Sequence, residues 1–397
     1  MGISKNLNSV LKFISAKIGM NVTHIIAFLL SKLISININD NLLIFGSTNG
    51  KAFSGNCRTV FEYLAKNTEY YCVWITDSKE IYHKIKMRGY HVILNDNLIK
   101  VIKLLKAAHF IFFSHGFGDI LLIDFSSKTQ LIYLAHGISF KRGGYDLKKS
   151  VYPFFERRLN DILAKRISFM IDSSDETKKT KISNYRMDPE KIIITGYPRN
   201  DILINFTQEL IFDLKKRFKL LNFHQIILYA PTFRDYEYKI PLTPDFLLEL
   251  QKFLEIEKKI FLYKPHPFME KINLSEYKNI RTIDPSVDIN DLLIISDVLI
   301  TDFSSVFYDF LLTSRPIIFF ADDLDKYRQV RDFYFDYETF VPGPYVTSGR
   351  DLIKMLKNIE LWNSKFSEKR KLTRDRFNKF VDGRATERLL KILNLYR

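Results

Sequence analysis

VLITDFSSVFYDFLL, residues 298–312, decides how the chain reads. The short, apolar, β-branched stretch running from Leu292 up to Thr301 has the composition of a buried strand, placed at Val298–Thr301. Val306 to Leu312 has instead the apolar density of a buried helix. Thr301, Asp302, Ser304 and Ser305 therefore stand at a strand-to-helix corner. In open α/β sheets, ligands bind at such corners, outside the carboxyl ends of the strands.

Working outward, the same rhythm fills the chain. Leu42–Ser47, Tyr71–Thr76, His91–Leu94, Phe110–Ser114 and Leu131–Ala135 read as strands, separated by helical patterns such as Asn56–Lys66 and Asn97–Lys106. After Asp188-Pro189 it restarts with Ile192–Thr195, Gln225–Ala230, Ile260–Lys264, Val298–Thr301 and Pro316–Phe320. This predicts an α/β protein of two doubly wound domains facing across a cleft. The segments are a basic N-terminal stretch over 1–40, a first domain over 41–190, and a second over 191–397 that ends in charged helices.

Bulk properties agree. A chain of 397 residues exceeds one comfortable core, and 46% apolar with 26% charged residues is the composition of a folded protein. The formal charge of +15 favours anionic partners. Cys57 and Cys72 suggest neither a disulfide framework nor a metal site and fit a reducing, cytoplasmic setting. Residues 1–40 carry Lys5, Lys12, Lys17 and Lys32 against Asp40 alone, with apolar positions at helical spacing. Val22–Ile34 falls short of the roughly 20 residues that span a bilayer. The segment reads either as an amphipathic stretch on an anionic membrane surface or as a helix packed on the first domain. A Walker loop, a G-x-G-x-x-G after the first strand and a G-x-S-x-G are all missing from the sequence.

The polar residues collect at strand ends. Ala135-His136-Gly137, with Lys141 close behind, puts an imidazole directly after a buried strand and before a glycine that lets the backbone turn. That suits His136 to general-base work, and His115 in Ser114-His115-Gly116 is a second candidate. Lys264-Pro265-His266-Pro267 is a stiff loop presenting a cation and an imidazole, suited to phosphate. Thr232 and Arg234 end another strand, where a guanidinium can grip phosphate with two parallel bonds; Gly196–Asp201 follows a further strand in the same way. At the opening corner, the serines and Asp302 could cap the helix, bind an anion, or divide the two tasks. A turn or cap would explain each stretch singly. No metal-ligand set stands out, and Asp322, Asp323 and Asp325 read as a solvated loop.

The ordered succession Ala135-His136-Gly137 with Lys141, Gly196–Asp201, Tyr229–Asp235, Lys264–Pro267, Thr301–Ser305 and Arg331–Asp336 before Pro342-Gly343-Pro344 resembles the CDP-glycerol glycerophosphotransferase family of teichoic acid and capsule synthesis. The resemblance implies a GT-B fold of two Rossmann-like domains and metal-independent, cofactor-free transfer of a polyol phosphate from CDP-glycerol or CDP-ribitol. It implies a lipid-linked or polymer acceptor and release of CMP at the cytoplasmic membrane face. On that analogy His136 activates the acceptor hydroxyl, with Gly137 and Lys141 on the acceptor side, and His266 helps bind the donor diphosphate. Thr232, Arg234, Lys264, Asp302, Ser304, Ser305 and Arg331 complete the donor side. The chain departs from the family at Ala135 and Ile138-Ser139, on the acceptor side, and at Arg331-Asp332. A GT-B glycosyltransferase using a nucleotide sugar is the alternative. Nucleic-acid binding is not expected, because the marked residues lie at strand ends instead of forming a basic stripe with stacking aromatics.

Overall fold

A buried parallel strand shows as a short apolar run, and most of those runs are strands in the computed structural model, which describes residues 22–147, 153–234, 236–266, 269 and 272–396. Among these residues, the first sheet comprises β1 (Asn39–Phe45), β2 (Tyr71–Thr76), β3 (His91–Leu94), β4 (Ala108–Phe113), β5 (Gln130–Tyr133), β6 (Phe169–Asp172) and β7 (Ile192–Ile194). The second comprises β8 (Gln225–Ala230), β9 (Lys259–Tyr263), β10 (Ile280–Thr282), β11 (Val298–Thr301), β12 (Ile317–Phe320) and β13 (Tyr345–Val346). All pairings within both sheets are parallel. The orders are β3-β2-β1-β4-β5-β6-β7 and β10-β9-β8-β11-β12-β13. Each sheet thus reverses direction once, between β1 and β4 and between β8 and β11, which creates a crevice at the carboxyl ends of those strands. Two such units make the GT-B fold.

Three differences from the sequence reading have physical causes. Ile192–Ile194 does not open the second sheet; it pairs with β6 and closes the first, because an apolar triplet does not declare its partner. Of the apolar run before Thr301, Ile289–Ile295 is a helix and only Val298–Thr301 is strand. The helix after the corner, Val306–Phe310, is short and passes into a 3-10 turn at Leu311–Thr313, so its dipole is weak.

The lobes are knitted together. Phe140, from the loop after β5, is buried in an aromatic cluster of the second lobe, with ring centroids 5.3 Å from Phe307 and 5.0 Å from Phe333. Lys141 forms a β-bridge with Phe333, flanked by Arg142 N–H to Asp332 O at 2.9 Å and Tyr334 N–H to Phe140 O at 3.2 Å. The C-terminal segment, read as part of the second domain, returns to the first lobe. Lys379 N–H donates to Ser173 O, Arg388 Nε donates to Thr195 O, and Asp201 accepts from the Ala385 and Thr386 amides.

At the other end, residues 1–21 lie outside the described residues, and 22–31 is helical. Ala27, His24 and Ser31 are buried against the first lobe, with His24 Nδ1 accepting from Leu122 N–H and Ser31 Oγ from Asp124 N–H. Val22, Ile25, Ile26 and Leu29 are exposed on the same helix, as is Leu33 just beyond it. No helix among the described residues is long and apolar enough to cross a membrane.

Candidate active site

β4 and β5 are neighbours, so the residues that follow them meet. The His115 and His136 rings stack with centroids 4.4 Å apart and planes 12° from parallel. Their partners fix the tautomers. Ser114 O, 3.3 Å from His136 Nδ1, can only accept, so Nδ1 carries the proton and Nε2 keeps its lone pair. His115 Nδ1 accepts from Thr48 N–H at 3.2 Å, which places its proton on Nε2. Asp119, buried in the loop below, accepts from the amides of Asn49, Ser114 and His115 at 2.6–2.7 Å and holds the turns after β1 and β4 in place.

His136 is open to solvent yet sunk between protein walls. Desolvation, followed by repulsion from His115 whenever that ring is protonated and from Lys181, pushes its pKa well below 6.5, against the hydrogen bond to Ser114. Burial and then Arg199 lower His115 to about 4. Both rings are therefore neutral at neutral pH, and His136 offers a free nitrogen to a proton donor.

Asn56 and Arg199 fasten this loop from outside. Asn56 Nδ2 donates to the carbonyls of Leu134 and of Ala135, which sits at φ 48, and its Oδ1 accepts from Arg199 N–H. The Arg199 guanidinium reaches His136 O at 2.7 Å and Asp309 of the second lobe at 2.6 Å. Gly137, at φ +135, is needed there: a Cβ would stand 2.8 Å from Arg199 Nη2 and 3.7 Å from Ser305 Oγ. Ser305 thus borders the His136 loop across the lobe boundary.

On the second lobe, Asp302 is neither a helix cap nor solvent-facing. Its carboxylate is buried and accepts from Thr232 N–H at 2.8 Å and Phe303 N–H at 2.5 Å, tying the end of β8 to the end of β11. Arg234, read as a phosphate grip, spends its donors within the protein. It forks onto Asp323 through two 2.8 Å bonds, pairs with Asp302 at 2.9 Å and donates to Thr232 O at 2.6 Å. Tyr238, Phe303 and Tyr327 lie 4.5, 4.6 and 5.0 Å from the guanidinium. Burial opposes the charge, but Asp302 and Asp323 outweigh it and hold Arg234 firmly protonated. It is a positioning residue for the Thr232 loop. The acidic run is accordingly not a plain solvated loop: Asp323 binds Arg234 and Tyr236, and Asp322 accepts from Tyr238. No group of three or more potential metal ligands occurs among the described residues.

The ligand-facing candidates on this side are the buried Thr232 hydroxyl, which has no hydrogen-bond partner among the described residues, the half-buried Ser304 and Ser305, Lys264 and the exposed His266. Lys264 donates to Pro285 O at 2.9 Å, and burial lowers its pKa to about 8 against Asp288 and Asp284. His266 is exposed with its ring 5.7 Å from Phe233, which brings the ends of β8 and β9 together. Arg331 follows the helix Leu324–Val330 and directly precedes the segment bridged to Lys141. The site reading named His136, Gly137 and the hydroxyls but left out Asn56, Asp119 and Arg199. Arg199 had a signal, its place in the strand-end stretch Gly196–Asp201.

The sequence model of the CDP-glycerol:poly(glycerophosphate) glycerophosphotransferase family matches residues 27–395. The chain belongs to that family. Its similarity to the family's characterised transferases is spread along the whole fold. It is 27% identical to the teichoic acid glycerol-phosphate transferase of Staphylococcus aureus, over 91% of this chain and 95% of that protein. It is 31% identical to the teichoic acid poly(glycerol phosphate) polymerase of Staphylococcus epidermidis over 88% of its own length, but spans only 50% of that longer protein. The structure of the wall teichoic acid polymerase TagF superimposes with a TM-score of 0.81 at 26% identity, covering 99% of this chain and 96% of that one.

Proposed function

We propose that the chain transfers a polyol phosphate from CDP-glycerol or CDP-ribitol to an acceptor hydroxyl, releasing CMP. The observation that carries this reading is the neutral, tautomer-fixed His136, whose loop is bordered across the lobe boundary by Ser305 of the second lobe. The acceptor hydroxyl gives its proton to His136 Nε2 as its oxygen bonds to the β-phosphorus. The bond from that phosphorus to the bridging oxygen breaks, and CMP leaves. Positioning and electrostatics supply most of the rate, as in phosphoryl transfer generally. Thr232, Ser304, Ser305, Lys264, His266 and Arg331 hold the CDP and phosphoryl oxygens, while Asp302 and Arg234 shape that side. Gly137 and Lys141 border the acceptor.

A lipid-linked or polymer acceptor brings the enzyme to the inner membrane face, where the exposed apolar stripe of helix 22–31 and a chain charge of +15 suit an anionic surface. Incubation with CDP-glycerol or CDP-ribitol and a lipid-linked acceptor yields CMP in step with polyol phosphate gained by the acceptor. Absence of CMP from every CDP-polyol, with turnover of a nucleotide sugar, overturns the donor assignment.

A further inference from the structure

Two successive carbonyls of the His136 loop are held by the protein, and the amides that follow them are not. His136 O accepts from Arg199 Nη1 at 2.7 Å. Gly137 O accepts from Tyr197 Oη at 3.1 Å and lies 3.5 Å from Lys181 Nζ. No peptide bond among the described residues is cis, so each following N–H points away from those partners. Neither the Gly137 nor the Ile138 amide has a hydrogen-bond partner among the described residues, although both residues are buried. A buried amide without a partner costs about 1–3 kcal/mol, and native structures rarely retain one without a use.

The groups that pin the loop are themselves buried. Tyr197 and Lys181 are each 2% exposed, and Asp172 is fully enclosed. Tyr197 Oη is also 2.8 Å from Asp172 Oδ1, and one hydroxyl proton cannot serve both oxygens. The Tyr197 hydroxyl is thus shared between the Asp172 carboxyl and Gly137 O, and Lys181 is the second group on that carbonyl. Burial raises the Asp172 carboxyl, against the nearby charge of Lys181 and the hydrogen bonds from Tyr197 and Ser173. Lys181 is further fixed by Ser139 Oγ at 3.1 Å. With Arg199 beside Gly137, two cations border the loop.

We infer that the Gly137 and Ile138 amides form a binding site for phosphoryl oxygens at the end of β5, and that Tyr197 and Lys181 are positioning residues that hold it. Paired backbone amides of this kind make anion-binding concavities. Resting on the transfer proposed above, the site takes the oxygens of the phosphoryl group under attack, next to the base that activates the attacking hydroxyl. Donors aimed at developing charge act on turnover more than on binding.

The test uses the full chain labelled with 15N-isoleucine, the Ile138 amide resonance being assigned through Ile138→Val. Inorganic phosphate and CDP-glycerol each shift that resonance saturably, and Tyr197→Phe abolishes the shift. In the same variant kcat falls roughly tenfold to a hundredfold, with KM for CDP-glycerol within about twofold of wild type. Lys181→Met serves as the second variant should Tyr197→Phe melt early. A resonance that neither ligand moves, or variants with wild-type kcat, overturns the inference. Should the wild type release no CMP from any CDP-polyol, the transfer reading fails on its own, and the shift with inorganic phosphate still decides the amide site.

Discussion

At the carboxyl end of the first sheet two neutral imidazoles stack, while at the same end of the second an arginine is enclosed by two carboxylates and three aromatic rings. One strand order therefore carries two kinds of wall. The first holds His136 neutral, through burial and the nearby cations Lys181 and Arg199, which leaves it able to accept a proton. The second uses its strongest cation for its own architecture and leaves hydroxyls and a lysine of lowered pKa to meet a ligand. In the transfer proposed above, the base belongs to the first lobe and most of the hold on the donor to the second.

The largest effect is expected at the base. His136→Ala lowers kcat by about a hundredfold to ten-thousandfold, measured as CMP release at saturating donor; a variant within tenfold of wild type removes His136 from that role. Next is the enclosed arginine. Arg234→Met leaves Asp302 and Asp323 without their cation and costs about 3–5 kcal/mol, read from urea denaturation. A loss below about 1 kcal/mol would make Arg234 a surface-like pair and return it to the list of donor contacts.

How much of this contrast was legible in the sequence follows from what each feature depends on. Strands buried on both faces announce themselves, so most of both sheets was readable. Phe169–Asp172, Ile280–Thr282 and Tyr345–Val346 were missed because short strands near sheet edges carry little apolar signal. His115 and His136 were both visible as strand-end histidines, but their stacking depends on β4 lying beside β5. The partners of Arg234 stand 68 and 89 residues away, so no local pattern could show that its charge was already neutralised.

Two smaller effects follow from pKa. His115 and His136 titrate below 6.5 in the folded chain, so the unfolded chain binds more protons as pH falls through that range. Their contribution to stability is present above pH 6.5 and is lost progressively toward about pH 4, which a series of denaturation midpoints measures. The acid limb of kcat/KM should likewise lie below pH 6.5. On the other wall, Lys264 loses its charge above about pH 8. KM for the CDP donor should rise a few-fold between pH 8 and 10, and Lys264→Arg should flatten that rise.

The division of labour is tested most directly by isothermal titration of CDP into two variants, one from each lobe. The account predicts that His136→Ala binds CDP within about twofold of wild type, while Lys264→Met binds it about tenfold or more weakly. Weakened binding in His136→Ala together with unchanged binding in Lys264→Met would contradict it.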